Sequence, residues 1–317
     1  MPSTGGTLTG FFNSMAGAFT EANKVLRPQA AFLTGNQGMP IIYNEVRSEP
    51  MARFKKVTLQ VPNTSGNAVD AITTVPTVST LSGAYTDVTL DTMPAWGFEI
   101  YALDDLYAAS PGQLRSGYVD EAIMKLVRFA NDKIASIFTT TNFSTSGNIT
   151  GAAGQYVPLS DFTKMFGTLA ARDVNVDDSG KLSFVAHSNV YTNFLSDTNW
   201  REAAKVGDTR AQNQIGTGVL PITYGARPLR DNQVPTVASP LSYTSIYMHE
   251  RAAALVTAPL PAPESTVAYS YETFGPLTIL ITIQYVPNQP HHILWFHTLM
   301  GVVPWRIDHA VIHKTTA

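Results

Sequence analysis

The chain has 317 residues, 14 % of them charged, with a formal charge of −3 and no cysteine. That length exceeds what most single compact cores hold and points to two lobes or one elaborated fold. The near-balanced charge, without a basic block, removes the electrostatic case for tight duplex binding, and the lack of cysteine removes disulfides, thiolate metal sites and cysteine nucleophiles together.

Ordinary soluble proteins are about one-quarter charged, so this surface is under-charged, while Thr, Ser, Asn, Gly and Pro are abundant. Such a composition fits a β-rich protein with hydroxyl-studded loops, or a subunit whose neutral surfaces are covered by copies of itself. The opening MPSTGGTLTG lacks the basic start and apolar core of a signal peptide. The longest apolar run, Ile293 to Trp305, is interrupted by His297 and falls short of the ~20 residues that cross a bilayer. These features predict a chain made and kept soluble in the cytosol, with no membrane partner.

Residues 1–42 read as an extended arm, with one amphipathic patch near Phe19 to Leu26 and turn signals at Gly35 to Gly38. Its rings, at Phe11, Phe12, Phe19 and Phe32, and Leu26 cannot be buried by so polar a segment, so a neighbouring surface is expected to receive them. Residues 43–94 read as an extended β-hairpin loop. Val57, Leu59 and Val61 alternate with polar residues, as do Val88 and Leu90, and the Thr/Ser/Gly-rich insert between them has turn chemistry at Pro62 to Gly66 and at Ser82 to Gly83. An isolated two-stranded ribbon is marginal in water, so this one should lie on something else.

Trp96 to Leu106 leads into the long helix predicted over Ser110 to Thr141. Ser110 with Gln113 matches a capping box, and Pro111 occupies the first helical position. Leu114, Tyr118, Ala122, Leu126, Ala130, Ile134 and Phe138 recur every four residues as an apolar stripe, and Thr139 to Thr141 are poor helix formers that end it. The rod would be about 45 Å long and needs a cover along most of its length. Ser146 to Gln155 reads as a plain linker that closes a unit over residues 95–157.

Residues 158–263 read as an α/β lobe. It holds a helix from Leu159 capped by Ser160 or Asp161, a buried strand Leu182 to Ala186, a helix Asn189 to Leu195, and strands Thr244 to Met248 and Ala252 to Val256. Residues 264–317 are nearly all strand (Leu277 to Val286, Ile293 to Leu299, Ile307 to His313) and are expected to return to the long helix.

The search for chemistry yields little. His291, His292, His297, His309 and His313 cluster in sequence, but on a strand His309 and His313 stand about 13 Å apart, too far to share a metal. Asp104 with Asp105, and Asp177 with Asp178, are adjacent carboxylates that suit turns and caps better than acid/base work. Gly216-Thr217-Gly218 lacks the third glycine and the helix of a dinucleotide site. No nucleophile elbow, phosphate loop, zinc-protease or calcium-loop string is present, so no catalytic, cofactor-binding or metal residue is assigned and an enzyme is not expected.

The order of parts resembles the tailed-bacteriophage major capsid protein family. LSFVAHSNVYTNFL from Leu182, VLPITYGARPLRDNQVP from Val219, YMHERAAALV from Tyr247 and GVVPWRIDHAVIHK from Gly301 are similar to the family's lobe strands and closing strand. The resemblance implies an α+β capsid fold with an N-terminal arm, an extended β-hairpin loop, a peripheral lobe with a spine helix and an inserted α/β axial lobe. It implies self-assembly into hexamers and pentamers of an icosahedral shell in the virion, assembled in host cytoplasm around double-stranded DNA that the shell touches weakly. A separate scaffolding protein, a portal and decoration proteins are the further partners it suggests. Some family members crosslink a loop lysine to a neighbour, but Lys55 and Lys56 lie at the loop's base, so that chemistry is not carried over. The alternatives are a bacterial nanocompartment shell that packages an enzyme cargo and, from another class, a β-rich surface adhesin.

Overall fold

The computed structural model describes residues 30–35, 39–63, 82–101, 111–143, 147–153, 157–177, 180–196, 220, 222–238, 241–261, 268–286 and 291–316. Two helices frame its first core, the one-turn α1 (Ala31–Thr34) and the 27-residue α2 (Pro111–Ile137). Along α2, Val119, Ala122, Ile123, Leu126, Val127, Ala130 and Ile134 are buried, followed by Phe138, while Lys125, Arg128 and Asp132 stay outside. Tyr118, expected on the buried stripe, is 44 % exposed. A series spaced by four residues slips about 40° per step around a 3.6-residue helix, so by Tyr118 it has left the buried side. Its ring rests on Phe98 at 5.2 Å.

The helix stops at Ile137, short of the threonines expected to close it. There the Asn142 side-chain amide donates to the Ile137 carbonyl at 2.8 Å and Phe143 N donates to Thr139 O, which satisfies the end of the rod. The cap expected at Ser110 lies outside the described residues.

Among the described residues the strands are, in chain order, β1 (Tyr43–Val46), β2 (Lys56–Asn63), β3 (Ser82–Thr89), β4 (Ala95–Tyr101), β5 (Ile149–Ala153), β6 (Leu182–Ala186), β7 (Arg227–Arg230), β8 (Thr236–Ala238), β9 (Leu241–His249), β10 (Ala253–Ala258), β11 (Ala268–Phe274), β12 (Leu277–Val286), β13 (His291–Pro304) and β14 (Ala310–Thr316). One six-stranded sheet runs β1-β10-β13-β12-β11 with β4 also on β13; a second runs β5-β14-β9-β6-β7 with β8 on β9. β13 is long enough to serve several partners, since His291–Thr298 pairs with β12, Leu299–Pro304 with β10, and His291–His297 with β4. Helices α3 (Leu159–Ala170) and α4 (Ser188–Ser196) cover the second sheet.

Period-2 alternation explains why the second sheet is buried on both faces. Val185, Ile246, Met248, Ala310 and Ile312 point into the core under α2, together with Leu255, Ile279, Ile281 and Phe296 of the first sheet. The intervening Phe184, Tyr247 and Val311 enter a second core with Phe162 of α3 and Phe194 of α4. One rod therefore packs against both sheets, as the demand for a cover along its length requires.

Several local expectations are corrected. Phe32, assigned to a neighbouring surface, is fully buried in its own chain and stacks on Phe138 at 5.3 Å; the chain around it is already held against α2, so its ring needs no foreign pocket. The segment read as a linker contains β5, paired in parallel with β14. Gly151 permits it, because a Cβ there would lie 2.5 Å from His313 Cε1. β10, expected in the 158–263 lobe, belongs to the first sheet, and β14, expected beside the first sheet's strands, belongs to the second. Both lead away from short 3-10 turns, Glu250–Ala252 and Ile307–His309, where the chain crosses between sheets. Finally, α3 begins after Pro158 with no side-chain cap, and the first-turn Asp161 is engaged elsewhere.

Candidate assembly surfaces and polar ties

β2 and β3 pair antiparallel from Lys56↔Thr89 to Asn63↔Ser82 and, among the described residues, take no third strand. The insert between them lies outside the described residues. The ribbon's root is firmly set: Val57, Leu59, Val88 and Leu90 pack on Ala254, Val256, Ala258 and Leu299 of the first sheet. Gly301 of β13 lets the ribbon backbone approach, since a Cβ there would meet the Thr89 carbonyl at 2.4 Å. Leu90 N donates to Lys55 O, Phe54 N to Leu90 O and Thr92 N to Met300 O, which closes the root by hydrogen bonds.

The other side of the ribbon is open. Tyr85 is 65 % exposed and Phe54 63 %, with the Arg53 guanidinium 4.7 Å above the Phe54 ring. Thr58 and Lys56 both reach Asp87, at 2.9 and 3.4 Å, a surface pairing worth little by itself. β11, at the end of the first sheet's strand order, exposes Tyr269 and Tyr271, rings 5.6 Å apart. Exposed aromatic side chains with polar surroundings are the anchors that protein interfaces favour.

Two buried polar ties hold distant segments together. In the first, the wholly buried Asp231 accepts from Ala31 N at 3.0 Å, Asn131 Nδ2 at 2.7 Å and Gln233 N at 2.8 Å, while Asn131 also accepts from Phe32 N. Burial pushes the Asp231 carboxyl up, against the pull of these donors. The tie locks α1 to the C-terminal third of α2. In the second, His313 of β14, fully buried, sets Nε2 3.2 Å from Asp161 of α3, and Lys164 Nζ holds the other carboxylate oxygen at 2.8 Å. Burial favours a higher Asp161 pKa, but the Lys164 and His313 hydrogen bonds and charges outweigh it and hold the carboxyl below its usual range. Burial pushes the His313 imidazole down despite Asp161. At neutral pH the pair is a neutral ring beside a carboxylate.

The remaining sequence candidates do not converge. His291 is buried with Nε2 4.0 Å from the Glu99 carboxylate, His297 lies beside Trp295, and the side chain of His292 is outside the described residues. His309 and His313 were expected on one strand, but His309 sits in the 3-10 turn with its ring 5.5 Å from His249. Among the described residues no three metal-capable side chains come together. Asp177 is described in a bend, whereas Asp104, Asp105, Asp178 and Gly216 to Gly218 lie outside the described residues. Lys55 and Lys56 are exposed at the ribbon's root. Sequence reasoning missed both polar ties, whose members stand 100 and 152 positions apart and leave no local spacing to read.

No family model and no curated protein matches the sequence. Solved structures match its shape. The capsid of cyanophage P-SCSP1u aligns with a TM-score of 0.60 at 12 % identity, over 91 % of this chain and 89 % of that one. The capsid of cyanophage A-1(L) gives 0.54 at 12 % identity over 87 % and 90 %, and the mature capsid of bacteriophage PhiM1 gives 0.52 at 13 % over 86 % and 85 %. The chain therefore has a mixed α/β fold that it shares with these solved phage capsids. A phage-capsid fold is what the order of parts in the sequence implied.

Proposed function

We propose that the chain is the major capsid protein of a tailed phage, a non-enzymatic subunit that assembles into hexamers and pentamers of an icosahedral shell around double-stranded DNA. The observation that carries this reading is the ribbon: in a chain of this fold, two strands are anchored at one end and expose Tyr85, with Phe54 exposed in the turn that leads into them, where a neighbouring copy can cover them. A hydrogen-bonded ribbon contributes backbone pairing and apolar area to such a contact with little charge to desolvate. On this reading residues 43–94 supply the loop that crosses a neighbour, 158–263 without β10 but with β5 and β14 the lobe at the capsomer centre, and the rest of 95–157 and 264–317 together with β10 the peripheral lobe. A separate scaffolding protein, a portal and decoration proteins are its partners, and its contact with DNA is weak and nonspecific, in keeping with the formal charge of −3.

Negative-stain microscopy of the purified chain, with the contents of any particles analysed, tests the proposal. Closed shells that retain or package DNA support it. Shells that instead enclose a protein cargo would assign the chain to nanocompartments, and the absence of closed particles would overturn assembly.

A further inference from the structure

The two crossovers between the sheets, Glu250–Ala252 and Ile307–His309, lie side by side: Trp305 N and Arg306 N both donate to Ala252 O. Beside them opens a cleft of about 210 Å3 in which Lys181, Arg251 and Arg306 line the wall with His249 and His309, against one carboxylate, Asp173. Lys181 faces Glu250 at 3.8 Å. Arg251 and Arg306, by contrast, have no ion-pair partner among the described residues, and Nε of Arg306 is buried without a hydrogen-bond acceptor. A desolvated guanidinium N–H without an acceptor is unfavourable, and a charged donor more so than a neutral one. Asp308 sets its Oδ1 3.0 Å from His309 Nδ1 and forms no ion pair with Arg306 among the described residues.

We infer that this cleft binds a phosphate-type oxyanion. Guanidinium forks match the oxygens of such a group two at a time, and a phosphate near neutral pH carries about 1.5 to 2 negative charges, which suits a wall that holds two arginines. A monocarboxylate has too few oxygens and half the charge. The ligand joins Arg251 of one crossover to Arg306 of the other and braces the two sheets where the chain passes between them. The inference needs only a folded subunit, so it stands or falls separately from shell assembly. Free phosphate and the terminal phosphate of a nucleotide share this chemistry.

The test is a titration of the full chain with inorganic phosphate at constant ionic strength, read as the thermal midpoint. A saturable rise of about 2–4 °C is expected for the unaltered chain. Arg251→Gln, at an exposed side chain, should abolish the rise, and Arg306→Lys should weaken half-saturation about tenfold, because an ammonium keeps the charge but not the fork. Adenosine monophosphate in place of phosphate separates the sources: half-saturation at lower concentration identifies a nucleotide site, and a weaker response identifies a site for the free ion. A flat response to phosphate in the unaltered chain, a rise that survives Arg251→Gln, or an equal rise with acetate would each overturn the assignment.

Discussion

Asp231→Ala should release α1 from α2. The wholly buried carboxylate takes hydrogen bonds from Ala31 N, Asn131 Nδ2 and Gln233 N at 2.7 to 3.0 Å. Truncation leaves two buried donors, Ala31 N and Asn131 Nδ2, and the part-buried Gln233 N without this acceptor, at about 1–3 kcal/mol for each buried one, while removal of a buried charge gives part of that back. The net loss is about 3–5 kcal/mol, a large share of the roughly 5–15 kcal/mol that holds a domain folded. Urea denaturation followed by circular dichroism measures it, and limited proteolysis should show new cleavage near residues 30–35. Combined with Asn131→Ala, the two losses should fall short of additive by more than about 1 kcal/mol, since both remove one network. Because burial raises the Asp231 pKa, its favourable contribution is complete below the ordinary 3.8 and is lost as pH rises through the raised folded value. The cost of Asp231→Ala should therefore be larger near about pH 4 than at about pH 7. A loss under about 1 kcal/mol, or strict additivity, would refute the reasoning.

Gly301→Ala pushes a methyl group against the Thr89 carbonyl and should cost about 1–3 kcal/mol, with faster hydrogen exchange at the Leu90 and Thr92 amides; unchanged protection there would mean that the ribbon root does not depend on this approach. His313 has a lowered pKa, so its contribution is complete above the unfolded value of 6.5 and is lost as pH falls through the folded one. The urea midpoint should drop as pH falls below about 6.5, and His313→Gln should flatten that limb; an identical slope in the variant would exclude the ring as its source.

What could be read beforehand and what could not follow from the range of the interactions. The α2 rod, β6 and the ribbon strands are set by local periodicity: the apolar stripe from Val119 to Phe138, five consecutive buried residues from Leu182, and Val57 and Leu59 alternating with Thr58 and Gln60. Strand partners were harder. Ala253–Ala258 and Ala310–Thr316 are apolar enough for either sheet, and two three-residue 3-10 turns, weak in sequence, decide which sheet each joins. β5 was hidden because Gly151 looks like linker composition, yet the glycine is there to admit the His313 ring. The cationic cleft was equally invisible, since Lys181, Arg251 and Arg306 come from three separate segments.

Removal of residues 63–82, which leaves the packed ribbon root and both cores in place, tests most directly whether identical copies supply the surface that this ribbon lacks. The subunit should remain folded by circular dichroism while microscopy shows few or no closed particles under conditions in which the intact chain forms them. Particles of normal size and yield from the shortened chain would contradict the account.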